Sequence, residues 1–398
     1  MTRIPQAVLQ VGLKADAPCY VYDLEALASR CRRIRQLPIA EKRIFFATMA
    51  NDHPEILACI RDQGFGVFVN SPQHLELALD QGFNPETIMY AASNMSDAEI
   101  QLCLETRVGL IVDSLGQLAK VGAVAKSPTD VGLRLNVGTA LDRQRIQPDP
   151  DYRFGILQNE LSEALAITRA RGLSIKGLHS YFGTNIHDPA ILLEGFARLG
   201  SLAEKLPDLD YIDVGGGFGV PDDHDGETFD LETYGRGARD ILNRIQAKLN
   251  RRVELFIEPG RYLTADCGYF FVKVLDLKQR ADRVFVGTNG SVVNFPRPLF
   301  HPDRAQHPIT LVGRDQREQP FPLPLYICGN STYSGDFLAR NISLPLPEIG
   351  EVLVFHNAGA YGRSMITHFL GKERPLEWVV TSCQTHLHSA EEMVVSPC

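Results

Sequence analysis

Short apolar runs and helical spacings alternate through the first two thirds of the chain. Runs at 45–50, 65–70, 86–92, 108–114, 131–137, 175–183, 211–217 and 254–260 are rich in Val, Ile, Phe and Tyr and bounded by Gly, Asn, Asp or Pro, which predicts eight buried strands. Between them, residues 54–63, 72–81, 96–105, 115–125, 158–171, 189–205 and 230–248 repeat apolar positions at helical intervals. Segment 54–63 opens on Pro54, suited to a first helical position, and places Ile56, Leu57 and Ile60 on one face. Ser96 followed by Glu99 has the spacing of a capping box.

Eight strands alternating with helices over 25–265 predict a (β/α)8 barrel, which takes about 250 residues. A doubly wound open sheet is the competitor, but eight similar units favour closure. Beyond 265 the pattern changes. Runs at 268–278, 283–288, 309–314, 323–328, 351–356 and 376–381 follow one another without long helices, and Pro and Gly become frequent. This predicts an antiparallel β domain at 266–398, joined by residues 1–24, whose Cys19-Tyr20-Val21-Tyr22 is itself strand-like.

At 398 residues the chain can bury a large core or two. A net charge of −8 argues against nucleic acid or an anionic membrane as partner. No apolar run reaches the roughly 18 residues of a membrane span, and Met1-Thr2-Arg3-Ile4-Pro5 lacks a signal-peptide pattern. The eight cysteines (19, 31, 59, 103, 267, 328, 383 and 398) include no CxxC pair, which predicts a reduced, cytoplasmic protein. Cys383, His386, His388 and Cys398 fit no standard zinc spacing and read as a polar tail, so no metal site is expected.

Chemistry concentrates where a barrel places its active site, after the last strands. Asp213-Val214-Gly215-Gly216-Gly217-Phe218-Gly219 follows the seventh run, and its consecutive glycines can turn backbone N–H groups toward an anion. Glu258-Pro259-Gly260-Arg261 follows the eighth. Taken singly, the first could be a plain glycine turn and the second a surface turn with an ordinary ion pair.

Together with other segments they resemble a known family. Phe45-Phe46-Ala47-Thr48-Met49-Ala50-Asn51-Asp52-His53-Pro54, Gly177-Leu178-His179-Ser180-Tyr181-Phe182-Gly183-Thr184, the two loops above, Arg297-Pro298-Leu299-Phe300, Ser334-Gly335-Asp336 and Ala358-Gly359-Ala360-Tyr361-Gly362 are similar, in order, to motifs of the pyridoxal-phosphate decarboxylases acting on ornithine, diaminopimelate and arginine. The resemblance, running from about Tyr20 to Met365, implies the fold shared with alanine racemase, a pyridoxal 5′-phosphate (PLP) cofactor, an amino-acid substrate and a homodimer with sites at its interface. It implies phosphate contacts from Thr184, Gly215, Gly216, Gly217, Gly260, Arg261 and Tyr361. Glu258 would meet the pyridine nitrogen, Tyr181 would stack on the ring, and Arg297, Tyr333 and Asp336 would face the substrate.

The same resemblance implies a Schiff-base lysine where this chain has Met49, an acid near it where Phe68 stands, a glutamate at His74, a lysine at Met95, a proton-donating cysteine at Thr332 and an acid at Tyr333. A thioether cannot form a Schiff base, and Phe68 is expected to pack beside Met49. Two functions follow. The chain decarboxylates a free or carrier-bound amino acid on non-covalent PLP, with His179, His74 and Tyr333 as candidates to move protons. Alternatively it is a non-catalytic relative that binds PLP or regulates a catalytic paralogue by heterodimerisation, a route that antizyme inhibitors take. An alanine-type racemase is the weaker third reading, since it too relies on the missing lysine.

Overall fold

The apolar runs of the first two thirds form a closed ring of eight parallel strands, in a computed structural model describing residues 4–126, 128–140, 144–149, 151–206, 208–221, 229–302, 307–314, 319–381 and 385–388. In chain order they are β1 (Lys42–Ala47), β2 (Gly66–Val69), β3 (Ile88–Ala91), β4 (Gly109–Val112), β5 (Thr129–Asn136), β6 (Leu173–His179), β7 (Tyr211–Asp213) and β8 (Glu254–Ile257). Each pairs in parallel with its neighbours; β8 pairs with β1, and β4 pairs with β5. The ring is filled by Phe45, Phe68, Met89, Ala91, Ile111 and Phe256, with Tyr211 packed against them. Tyr211 stacks on Phe256 with centroids 4.3 Å apart. Its ring demands glycine on the neighbouring strand, because a Cβ on Gly177 would lie 1.9 Å from it.

The strands stop earlier than their apolar runs. The run 45–50 ends as strand at Ala47, 175–183 at His179, 211–217 at Asp213 and 254–260 at Ile257. The backbone explains this: Thr48–Ala50 forms a 3-10 turn, and Gly183, Gly215 and Gly217 take φ of +150°, +65° and +91°. The residues left over form the C-terminal rim.

The helices follow their expected spans closely, at Pro54–Asp62, Pro72–Asp80, Asp97–Thr106, Leu115–Val124, Leu161–Arg171, Pro189–Gly200 and Leu231–Leu249. Ser96 and Glu99 form the reciprocal capping box. Four helices, Gln6–Gly12, Leu24–Arg35, Arg261–Thr264 and Arg297–Phe300, lie outside the expected set. No described helix is long and apolar enough to cross a membrane.

The chain divides into two compact units, Arg30–Val220 with Glu227–Tyr262, and Met1–Ser29 with Pro221–Gly226 and Leu263–Cys398. The second is a β unit. Its strands run Phe337–Ile342, Leu325–Cys328, Val284–Thr288, Gly268–Gln279, Cys19–Asp23, Leu376–Val380 and Thr385–His388 across one sheet, with Val352–Phe355 and Ile309–Leu311 branching from Gly268–Gln279. The sheet is mixed where an antiparallel one was expected. Val284–Thr288 pairs in parallel with Leu325–Cys328, and Cys19–Asp23 with Leu376–Val380. Ile4, Val8, Val11, Cys19, Val21, Tyr269, Phe271, Val354 and Val380 form its core. Cys383 and Cys398, and the side chains of His386 and His388, lie outside the described residues.

Candidate active site

Three strands of the barrel deliver three ionisable side chains to one buried point: His179 ends β6, Asp213 ends β7 and Glu258 follows β8. Their exposures are 1%, 0% and 7%, and their ligand atoms all lie within 4.8 Å of one another. His179 Nε2 lies 3.1 Å from Glu258 Oε1 but out of line for a hydrogen bond. Consequently His179 Nδ1 and Nε2, Asp213 Oδ2 and Glu258 Oε1 are buried with no hydrogen bond counted to any of them. Burial without such partners favours neutral forms. It pushes the Asp213 carboxyl well above its usual range, with the Glu258 charge adding to the effect. It raises Glu258 to about 7, against a lowering pull from Asp213 and Arg134, and lowers His179 to about 4.

The glycine loop leaves directly from this cluster. Asp213 Oδ1 accepts the Gly215 N–H at 2.9 Å, and the Glu258 N–H donates to the Gly215 carbonyl at 2.8 Å. A Cβ on Gly216 would sit 2.3 Å from the Glu258 carbonyl oxygen, and one on Gly217 2.4 Å from that of Gly183. Only glycine lets the three loops approach this closely. Gly260 is nearly as tight, since a Cβ there would meet those of Ala50 and Ala47 at 3.0 and 3.2 Å, which sets it against the turn holding Met49. Tyr181 is half-buried over Gly215. Its carbonyl accepts from the Tyr152 hydroxyl at 3.3 Å, and that hydroxyl accepts from Arg134 at 3.2 Å. Thr184 is half-buried on the loop after β6, and Arg261 is half-buried at the start of the short helix Arg261–Thr264.

Met49 is half-buried and so is not a core residue. Phe68 belongs to the barrel core and stacks on the His179 ring at 5.7 Å and 20°. Met95 is fully buried. Thr48 Oγ donates to the Phe68 carbonyl at 3.1 Å, so it accepts from His74 Nδ1 at 3.0 Å. Asn70 Oδ1 lies 2.9 Å from the same nitrogen. Two acceptors at Nδ1 fix its hydrogen there and leave Nε2 basic, 3.9 Å from Asp52. Burial lowers the His74 pKa, and Asp52 opposes that shift.

In the β unit the polar residues are enclosed differently. Arg297 is only 5% exposed, so it is no surface ion-pair residue. It donates to His307 Nε2 at 3.0 Å, while His307 Nδ1 donates to the His356 carbonyl at 2.8 Å. Asp336 accepts from Ser291 Oγ at 3.0 Å, the Val292 N–H at 2.8 Å, the Ser331 N–H at 3.2 Å and Ser331 Oγ. Thr332 is exposed, and Tyr333, 37% exposed, meets Phe369 edge-on at 5.8 Å. Tyr361 is half-buried in a turn at φ +58°. Asp213, Arg134, Tyr152 and His307 were not singled out from the sequence. An acid closing an apolar strand two residues before a glycine run was the available signal for Asp213.

A parallel eight-stranded barrel with a β unit, a glycine loop after the seventh strand and a buried acid after the eighth defines the alanine racemase-like class of PLP proteins. Within that class the chain belongs to the pyridoxal-dependent decarboxylases, whose pyridoxal-binding domain it matches over residues 24–265. It is 28% identical to a diaminopimelate decarboxylase of Methanothermobacter thermautotrophicus, over 91% of this chain and 86% of the relative. A crystal structure of a diaminopimelate decarboxylase matches with a TM-score of 0.87 at 26% identity, over 97% of this chain and 94% of that one. The Helicobacter pylori diaminopimelate decarboxylase, solved with L-lysine, matches in fold with a TM-score of 0.85 at 22% identity, over 95% of each chain.

Proposed function

We propose that this chain is an amino-acid decarboxylase that holds PLP without a covalent tether, Met49 standing where its relatives carry the anchoring lysine. One observation carries the reading. The polar end of the barrel combines a buried acid that has an oxygen lacking a donor with a loop where a Cβ would collide with its neighbours. Both features fit PLP: the glycine backbone suits its phosphate and Glu258 its ring nitrogen. When bound, PLP supplies the conjugated ring that accepts the electron pair released as carbon dioxide leaves.

The chain's own residues have separable tasks in this reading. Gly215, Gly216 and Gly217 present backbone N–H groups, with Thr184 and Gly260 on the flanking loops and Arg261 opening the short helix that follows. Glu258 holds a proton at the ring nitrogen. Tyr181 covers a ring face. His74, neutral with Nε2 basic, can move a proton beside the Met49 turn. Asp336 is left out of the substrate set, because its donors already fill it. With no acid at 333 or free at 336, the fit is to a substrate whose side chain is uncharged or acidic, or which is tethered to a carrier.

The test begins with the full chain, PLP and borohydride. Bound cofactor that dialyses away and is not reduced onto the chain is expected, whereas reduction onto Met49→Lys should make it permanent. Carbon dioxide release is then measured with diaminopimelate, lysine, ornithine, arginine, acidic and neutral amino acids, and carrier-bound forms. Cofactor binding without release from any of them would leave a non-catalytic relative; no binding would overturn the proposal.

A further inference from the structure

Asp213 has no part in the assignments above, yet it is the most buried acid of the barrel's polar end and touches both of its working features. One oxygen accepts the N–H of Gly215, the first glycine of the cradle. The other meets no N–H or O–H donor, and neither does Glu258 Oε1. Two carboxylates so close and so dry cannot both be ionised. The groups facing them are His179 on β6, Arg134 on β5, Asp113 after β4, and Tyr211 and Tyr234. Arg134 is the only obligate cation among these, and its charge acts on Glu258 and His179. His179 Nε2, 3.1 Å from Glu258 Oε1, is out of line for a hydrogen bond and burial disfavours its charged form, so the way left to satisfy both carboxyls is a proton between them. Asp213 is the better holder, because its burial is complete and Arg134 favours the anion on Glu258.

We propose that Asp213 is a positioning residue that carries the proton of a carboxyl pair with Glu258, keeping Glu258 as the anion of the pair and tying it to the glycine cradle. The proton-sharing half stands on the barrel geometry alone; the cofactor half rests on the PLP reading above. Asp213 then acts through Glu258 without touching the ring. It donates to Glu258 through Oδ2 and accepts from Gly215 through Oδ1, so the ring-nitrogen site and the phosphate site share one brace.

Infrared spectroscopy of the full-length chain without cofactor, at neutral pH, reads the proton directly. The expected result is a protonated-carboxyl band that Asp213→Asn removes. Asparagine keeps both hydrogen bonds, since its oxygen accepts from Gly215 and its amide donates to Glu258. It should therefore bind PLP within about threefold of the wild type, whereas Asp213→Ala, lacking both, should bind about tenfold more weakly or worse. Three results would overturn the proposal: no such band, Asn and Ala variants equally impaired, or a tightly bound metal ion in place of the proton. The infrared arm needs no cofactor and no alanine variant. A band in a protein that takes up no PLP would sink the cofactor reading and leave the proton pair standing.

Discussion

Asp213 in the barrel and Asp336 in the β unit are both buried aspartates, at 0% and 4% exposure, with opposite surroundings. Asp336 gathers donors from Ser291, Val292 and Ser331 and knits two loops together. Asp213 accepts one N–H and leaves its other oxygen without a donor. A buried carboxylate with its donors in place serves the fold. A buried carboxyl without them costs stability, and that cost is tolerable where a ligand or proton completes the set. On this criterion the barrel end is the candidate site, while the Asp336 carboxylate has the donors that hold its loop.

The sharpest way to break the contrast is to delete each acid. Asp336→Ala strands several buried donors and should lower stability by about 3 kcal/mol or more in denaturant unfolding. Asp213→Ala in the cofactor-free protein frees one buried N–H and leaves Glu258 to take up the proton, and should cost less, about 1–2 kcal/mol. Equal losses would erase the distinction. Next in size is Gly216→Ala. Its Cβ would press into the Glu258 carbonyl at 2.3 Å. Forcing the two loops apart should cost about 1–3 kcal/mol, with a matching loss of PLP affinity by fluorescence titration. A variant that binds normally would show that the cradle tolerates bulk and is a plain turn.

Smaller still is a control away from both acids. Ser96 caps Asp97–Thr106, accepting from the Glu99 N–H at 3.2 Å while Glu99 accepts the Ser96 N–H at 2.8 Å. Ser96→Ala should cost about 1 kcal/mol in thermal unfolding and leave PLP affinity unchanged.

That cap was readable in the sequence because its two residues lie three apart and the rule is local. So were the eight strands and seven helices, each carrying its own periodicity. The glycine loop and Glu258 were readable as motifs, since position after the last strands gives them meaning. What escaped depends on contacts distant in the chain. The stacking of Phe68 on His179, 111 positions away, arises because β2 and β6 both face the barrel interior. Arg297, read as a substrate-facing residue, is buried in the β unit beside His307, which its own segment does not announce. Gly177 gives no hint in sequence that Tyr211 fills its place. The parallel pairings of the β unit were likewise invisible, since strand direction leaves no local mark.

The finest distinction between the two aspartates lies in pH. Glu258 is raised from 4.5 to about 7 in the folded chain. Between those values the folded state keeps a proton that the unfolded state has released, so this contribution to stability falls as pH rises. Asp213, also raised, acts in the same direction. His179 is lowered from 6.5 to about 4, so between those values the unfolded state holds the extra proton and stability rises with pH. The His179 term offsets only one of the two carboxyl terms below pH 6.5, so stability already declines there with a reduced slope. Above it only the carboxyls remain, and the cofactor-free protein should lose stability toward pH 7, by under about 1 kcal/mol from Glu258. Melting curves across pH 5–8 should show a decline that steepens above pH 6.5. Glu258→Gln should make the alkaline limb shallower, and His179→Phe should steepen the decline below pH 6.5. Asp336→Asn should leave the limb in place, because Asp336 has no share in the barrel's proton. If it is Asp336→Asn that flattens the limb, the proton has been assigned to the wrong acid.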